Sequence, residues 1–109
     1  MANTFKLKTK ANVGVTTVGI YTAPAATTTV VIGITLANPS GSGVNVGVGV
    51  TRAGTTEDVK LLKNAPIPQG SSLEFMAGNK VVLEATDTVT VDSDTNNSVD
   101  AALTIMEIT

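Results

Sequence analysis

Apolar and polar residues alternate one by one along most of this chain, which is the period of a β-strand with one buried face. Residues 44–50 show it most clearly, because four valines there alternate with Asn45, Gly47 and Gly49. The same alternation predicts further strands at residues 5–10, 15–21, 28–37, 59–63, 72–76, 80–84, 88–91 and 99–108. The pattern therefore predicts about eight or nine short strands.

The alternation also assigns side chains to faces. In residues 5–10, Phe5 and Leu7 share one phase, and we expect it to point inward with the lysines outward. In residues 28–37, the alternation places four apolar residues on one face: Val30, Ile32, Ile34 and Leu36. In residues 72–76, the phase that contains Phe75 is expected to be inward.

Turn-forming residues separate these segments. The Asn-Pro-Ser-Gly-Ser-Gly sequence of residues 38–43 predicts a loop, and we expect residues 28–37 and 44–50 to form an antiparallel hairpin around it. Turns are also expected at residues 12–14, 77–79 and 86–87, polar loops at residues 52–58 and 92–98, and an extended crossing at residues 64–70. We predict a single all-β domain over residues 1–109, an antiparallel β-sandwich that is either jelly-roll-like or a small barrel.

Composition strengthens the all-β prediction. Valine, isoleucine and threonine make up 39 of the 109 residues. Branching at Cβ restricts χ1 and suits a pleated strand better than a helix. No long stretch shows the 3.6-residue period of an amphipathic helix.

Charge narrows the range of partners. The formal net charge is −2 and only 15% of the residues are charged, against about a quarter in typical globular proteins. Such a balance gives no basic footprint for nucleic acid or an anionic membrane, so we expect neither as a partner. No export signal is visible at the N-terminus, and we expect synthesis in a cytosol. A surface with so few charges favours burial against neighbouring protein subunits.

The chain lacks the residues that most enzymes use. It has no histidine and no cysteine, which excludes a Ser-His-Asp triad and the usual zinc sites. Carboxylates could pair for glycoside hydrolysis, but the chain has only three aromatic residues. We therefore predict no enzyme activity, no cofactor and no small-molecule substrate.

Residues 92–100 look like the start of a calcium loop. Asn97, however, stands where the loop needs glycine, and Leu103 stands where it needs the closing glutamate. Asp and Asn also favour turns for their own reasons. We interpret the segment as a polar hairpin loop and assign no metal site, with an adventitious calcium site as the alternative.

Two features are candidate contact surfaces. Lys6, Lys8 and Lys10 share one strand face, where they either protect a sheet edge from pairing or dock onto an acidic partner. Gly47 and Gly49 leave one strand face bare, so that a second sheet or a partner subunit can approach closely. The pattern leaves both pairs of alternatives open.

Four segments carry a family resemblance. Residues 20–31 (IYTAPAATTTVV), 61–74 (LLKNAPIPQGSSLE), 80–87 (KVVLEATD) and 99–108 resemble small virion structural proteins of tailed phages, especially marine and cyanobacterial ones. The resemblance covers most of the chain. It implies a β-sandwich carried on the particle and no catalytic residues.

Together these features predict a capsid decoration, or cement, protein on the outer surface of the virion. Its expected partners are the major capsid protein and copies of itself. One alternative is a tail, neck or baseplate component that forms a ring. A further alternative is a carbohydrate-binding or adhesion module, against which the shortage of aromatic residues stands.

Overall fold

The computed structural model describes residues 3–53, 57–75 and 80–109, and these residues form nine β-strands. No helix within them is long and apolar enough to cross a bilayer. The strands are β1 (Asn3–Val13), β2 (Val18–Thr22), β3 (Thr28–Ala37), β4 (Val44–Arg52), β5 (Glu57–Ile67), β6 (Ser72–Phe75), β7 (Val81–Leu83), β8 (Thr88–Ser93) and β9 (Val99–Ile108).

The strands form two antiparallel sheets. The first has the order β1-β9-β3-β6, with β7 also paired to β3, and the second has the order β2-β8-β4-β5. β6 pairs with residues 34–37 of β3 and β7 with residues 29–31, so together they act as one interrupted strand. Counted that way, the first strand pairs with the last and the second with the next to last, which is the jelly-roll arrangement. The predicted all-β sandwich is confirmed, and the barrel alternative is excluded.

The core lies between the two sheets. Val44, Val46, Val48 and Val50 of β4 are all buried, so the predicted faces of this strand are confirmed. β9 contributes its own alternating row, in which Leu103 is fully buried. Burying a side chain of this size stabilises the fold by roughly 1.5–3 kcal/mol.

The predicted hairpin between β3 and β4 is wrong. Residues 38–43 instead carry the chain from the first sheet to the second. Asn38 is buried, and its Nδ2 donates to the carbonyl oxygens of Ser42 at 2.8 Å and of Ile67 at 2.9 Å. Because this side chain ties the loop to the end of β5, the chain crosses the sandwich and does not fold back beside β3.

A β-bulge overturns the predicted faces of β3. Val31 pairs with Ile105 but Gly33 pairs with the adjacent residue Thr104, so Ile32 is an extra residue. One extra residue reverses the direction of every side chain before it. Thr29 and Val31 are therefore buried, along with Ile34 and Leu36, while Val30 and Ile32 are only half-buried.

β5 is longer than predicted. It continues through the expected crossing to Ile67, and Pro66 lies within it, opposite Asn45. Proline is tolerated there because β5 is an edge strand and needs no donor on its outer side. Arg52 and residues 57–58, predicted as loop, are also in strands. The predicted turn at residues 77–79, and residue 76 of the predicted strand before it, lie outside the described residues.

Candidate assembly surface

β1 is the edge strand of the first sheet, and its register fixes where its side chains point. Lys6 lies opposite Ile105, Lys8 opposite Leu103, and Lys10 opposite Ala101. Directly opposed residues share a face, and these three β9 residues are buried. The lysines are therefore on the inner side of the sheet, at its edge. A charge in this position discourages pairing with another strand.

The prediction that Phe5 and Leu7 point inward is wrong. Phe5 is 69% exposed and Leu7 is 64% exposed. β2, the edge strand of the second sheet that lies nearest to β1, has 5 residues against 11 in β1. The inner side of β1 is therefore only partly covered, and long lysine side chains suit it because they reach solvent. Phe5 and Leu7, which alternate with the lysines, therefore lie on the outer side of the sheet.

Lys6 begins a buried polar network that joins the two sheets. Its Nζ lies 2.9 Å from Oε1 of Glu107, whose other oxygen accepts a hydrogen bond from the Tyr21 hydroxyl at 2.6 Å. The Tyr21 and Thr29 hydroxyls are 2.8 Å apart. Tyr21 comes from β2, while the other three residues come from β1, β9 and β3.

The network keeps Glu107 ionised. The hydrogen bonds from Tyr21 and Lys6 lower the pKa of Glu107, against the opposing effect of burial. Burial and the bond to Glu107 together raise the pKa of Tyr21 to about 12. The group fastens the edge strand, and sequence reasoning missed it because the four residues are far apart in the chain.

The outer face of the first sheet carries apolar side chains from four adjacent strands. Its members are fixed by register: Phe5 lies opposite Met106, Met106 opposite Val30, and Val30 opposite Val82. Val82 is 58% exposed, while Met106 and Val30 are half-buried. With Leu7 and Ile108 they form what we call the outer apolar face, defined as Phe5, Leu7, Val30, Val82, Met106 and Ile108.

A shallow depression of about 260 Å³ adjoins this face. It opens at Gly33, where no atom lies within 4 Å of the position that a Cβ would occupy. Ile32, Thr104 and Glu74 are among its lining residues. Since Gly33 follows the bulge, the same feature that reverses β3 also leaves room for an incoming side chain.

Gly47 and Gly49 are covered by the chain itself. A Cβ at Gly49 would lie 2.9 Å from the carbonyl oxygen of Val59, and a Cβ at Gly47 would lie 3.3 Å from that of Leu62. Both oxygens belong to β5, which approaches closely because its pairing with β4 shifts register twice in this region. The glycines serve packing within the fold, and both are buried.

A second ion pair holds the turn before β8. Arg52 Nε lies 3.0 Å from Oδ2 of the buried Asp87, and Arg52 also pairs with Glu84. Burial acts to raise the pKa of Asp87, but the backbone N–H groups of Ala53 and Glu84 and the Arg52 guanidinium outweigh it and lower that pKa. This carboxylate is thus engaged in supporting the loop.

The carboxylates of residues 92–100 do not converge. Asp92 accepts from the Thr17 hydroxyl, Asp94 from the backbone N–H of Asn45, and Asp100 from that of Asn12, each at 3.0–3.1 Å. Each carboxylate fastens a different segment. Within residues 3–53, 57–75 and 80–109, no three such groups are placed to share a metal ion.

Comparison with known proteins shows the fold and no family. No protein-family model and no curated protein sequence matches the chain. A chain from Bacillus endospore appendages, described as disulfide-linked pili, is 17% identical with a TM-score of 0.57, over 99% of this chain and 87% of that one.

Two chains from infectious bursal disease virus are also similar in structure. One comes from its T13 viral particle and is 10% identical, with a TM-score of 0.56. The other comes from the Gx strain and is 11% identical, with a TM-score of 0.54. Both alignments cover 96% of this chain, which spans 30% and 36% of the viral chains. All three chains share its fold.

Proposed function

We propose that this chain is a structural subunit of a virus particle. More specifically, we propose a capsid decoration protein of a tailed phage that binds the outer shell and bridges capsid subunits. The observation that carries the proposal is the outer apolar face. Its side chains are at least partly exposed to solvent and are not part of the core between the two sheets. Exposed apolar patches of this kind mark interaction surfaces.

The structural neighbours support assembly as the general function. They come from a pilus and from virus particles, so the same sandwich serves as a building unit in both. Both buried carboxylates of the described residues, Asp87 and Glu107, are ion-paired and held in their charged form. Their engagement supports our further proposal that the protein is not an enzyme.

The lysine row of β1 is the surface we assign to the shell. Lys10 is exposed and Lys8 half-buried at the sheet edge, where they can meet an acidic patch on the capsid protein. Exposed ion pairs contribute only about 0–1 kcal/mol each, so one copy binds weakly through them. Many copies on a repeating lattice stabilise the shell through the sum of their contacts.

The copy number in purified particles tests the proposal. We expect quantitative mass spectrometry to find this protein and the major capsid protein at a ratio near one or a simple fraction of it. A far lower ratio would instead place the protein on a tail, neck or baseplate ring. Absence from particles would overturn every virion assignment.

A filament subunit is the second candidate, and one observation favours it. The alignment with the pilus chain covers most of both chains, whereas each viral chain is about three times longer than the aligned region. This chain has no cysteine, so a filament would be held by non-covalent contacts. Negative-stain microscopy of the concentrated protein should then show helical fibres. Particles of uniform small size would count against this candidate.

A further inference from the structure

We propose that the outer apolar face is the contact between two copies of this chain, packed sheet to sheet about a two-fold axis. The inference rests on the proposed function, because a bridging subunit needs a surface for its own kind besides its surface for the shell. Four observations support it: the distribution of charge, the area, the shape, and the placement of the lysines.

The charged strand residues on this side of the first sheet lie at one end. Register places Asp100 opposite Ala37, and Glu74 opposite Thr35, at the end of the sheet away from Phe5. Strand residues at the Phe5 end of this face are uncharged. A two-fold axis through the apolar end therefore places the acidic ends of the two copies far apart, and like charges do not meet.

A partner of opposite charge would gain little from this face. The three lysines of β1 point to the other side of the sheet, so their charge does not reach it. The same face on a second copy, by contrast, is equally apolar and can pack against it. An isologous contact requires this self-complementarity.

The area suits a stable dimer. β3 and β9 have 10 residues each, and the face is four strands wide. At about 3.4 Å per residue and about 4.8 Å per strand, the whole outer side of the first sheet measures roughly 650 Å². Standard interfaces bury about 800 Å² per partner, and about 1,000 Å² in total separates biological contacts from chance ones. Two copies reach that total when they overlap over about three quarters of this side, which leaves the acidic end uncovered.

The depression at Gly33 gives the contact its register. Two sheets pack about 10 Å apart with interdigitated side chains. An apolar side chain of the second copy, such as Leu7, can enter the space that the missing Cβ leaves. The bulge in β3 thus provides the depression, and the exposed side chain of Leu7 from the second copy fills it.

The test compares a glycine on the outer side of the first sheet with a glycine in a loop. Neither Gly33 nor Gly41 has an atom within 4 Å of an added Cβ, and neither has a positive φ. Gly41 lies in the loop at residues 38–43, away from the outer face. Gly33→Lys places a charge in the contact, while Gly41→Lys makes the same chemical change elsewhere.

Sedimentation velocity of the purified protein over a wide concentration range is the measurement. We expect a dimer for the natural sequence and for Gly41→Lys. For Gly33→Lys we expect the dimer dissociation constant to rise about a hundredfold or more, because the long charged side chain fills the depression and would have to be desolvated in the contact. Circular dichroism of each variant shows whether the sandwich is intact.

A second pair covers the case in which Gly33→Lys does not fold. Leu7→Thr removes an exposed apolar side chain from the face, and Val15→Thr does so at a bend on the chain, where Val15 is 56% exposed. Only Leu7→Thr should weaken the dimer. A natural sequence that stays monomeric, or a dimer that survives both face variants, would overturn the inference.

These outcomes are separate from the fate of the proposed function. A monomeric protein that is nevertheless present on particles at a simple ratio would overturn the two-fold contact and leave the decoration assignment standing. If the protein forms a dimer that Gly33→Lys breaks, but is absent from particles, the two-fold contact stands and the decoration assignment is overturned.

Discussion

Adding a methyl group at Gly49 measures how closely β5 approaches β4. An alanine Cβ there would lie 2.9 Å from the Val59 carbonyl oxygen and 3.1 Å from the Thr90 hydroxyl oxygen. A carbon normally stays about 3.3–3.6 Å from a carbonyl oxygen. The nearer atom belongs to the backbone, so relief requires a shift of β5 as a whole. Gly33→Ala is the matched control, because an added Cβ there meets nothing.

The two substitutions should therefore move stability in opposite directions. Overpacking of this kind costs about 1–3 kcal/mol. Replacing glycine in a strand returns about 0.5–1 kcal/mol, because the unfolded chain loses freedom. The net expectation is a loss of about 1–2 kcal/mol for Gly49→Ala and a gain of about 0.5 kcal/mol for Gly33→Ala. In a domain of this length, 1 kcal/mol corresponds to about 4 °C in Tm.

Urea denaturation at a protein concentration well below the dimer dissociation constant is the assay, since self-association would shift the midpoint and a substitution at Gly33 would alter it. The m-value should stay constant, so that the midpoint alone reports the change in unfolding free energy. If Gly49→Ala proves as stable as Gly33→Ala, the close contact between β4 and β5 does not exist and our account of the glycine row is wrong.

Three further predictions concern the buried polar groups. Tyr21→Phe should lower the unfolding free energy by about 1.5–3 kcal/mol, the range for hydrogen bonds to charged groups, as measured by urea titration; an unchanged midpoint would contradict the network. The pKa of Glu107 is lowered in the fold, so its stabilising effect is present above about pH 4.5 and is lost as the pH falls through the folded value. Acid titration followed by circular dichroism should therefore show a shallower decline for Glu107→Gln than for the natural sequence, and equal slopes would refute this. Asn38→Ala leaves the Ile67 carbonyl without its side-chain donor and should cost about 1–3 kcal/mol by thermal melting, whereas Asn96→Ala, at an exposed loop residue, should cost little.

The bounds of two strands and the buried face of a third could be predicted well from the sequence. The bounds of β3 and β9 match the predicted segments, and the buried valines of β4 match their predicted phase. Alternation is informative there because β4 and β9 lie inside their sheets and face the core along one side. Strand number and fold class followed from the same pattern.

The wrong predictions of strand faces and strand pairing arose where a single residue or a single neighbouring strand determines the structure. The bulge at Ile32 reverses the side-chain directions in half of β3, and no residue type in that segment predicts a bulge. Phe5 was misplaced because alternation shows that a strand has two faces but not which face is covered. The sheet change after β3 depends on the contacts of Asn38 with distant residues. The outer apolar face could not be predicted, since it is formed by four strands that are far apart in the chain.

The pairing order of the first sheet has a consequence for synthesis. β9 lies between β1 and β3, so the last of the nine described strands to be synthesised joins two strands made much earlier. Until residues 99–108 emerge, β1 has no neighbour and the outer apolar face is not assembled. Folding dominated by such distant pairings takes milliseconds to seconds. For the two-fold contact that we propose, this topology delays self-association until residues 99–108 have been made and paired.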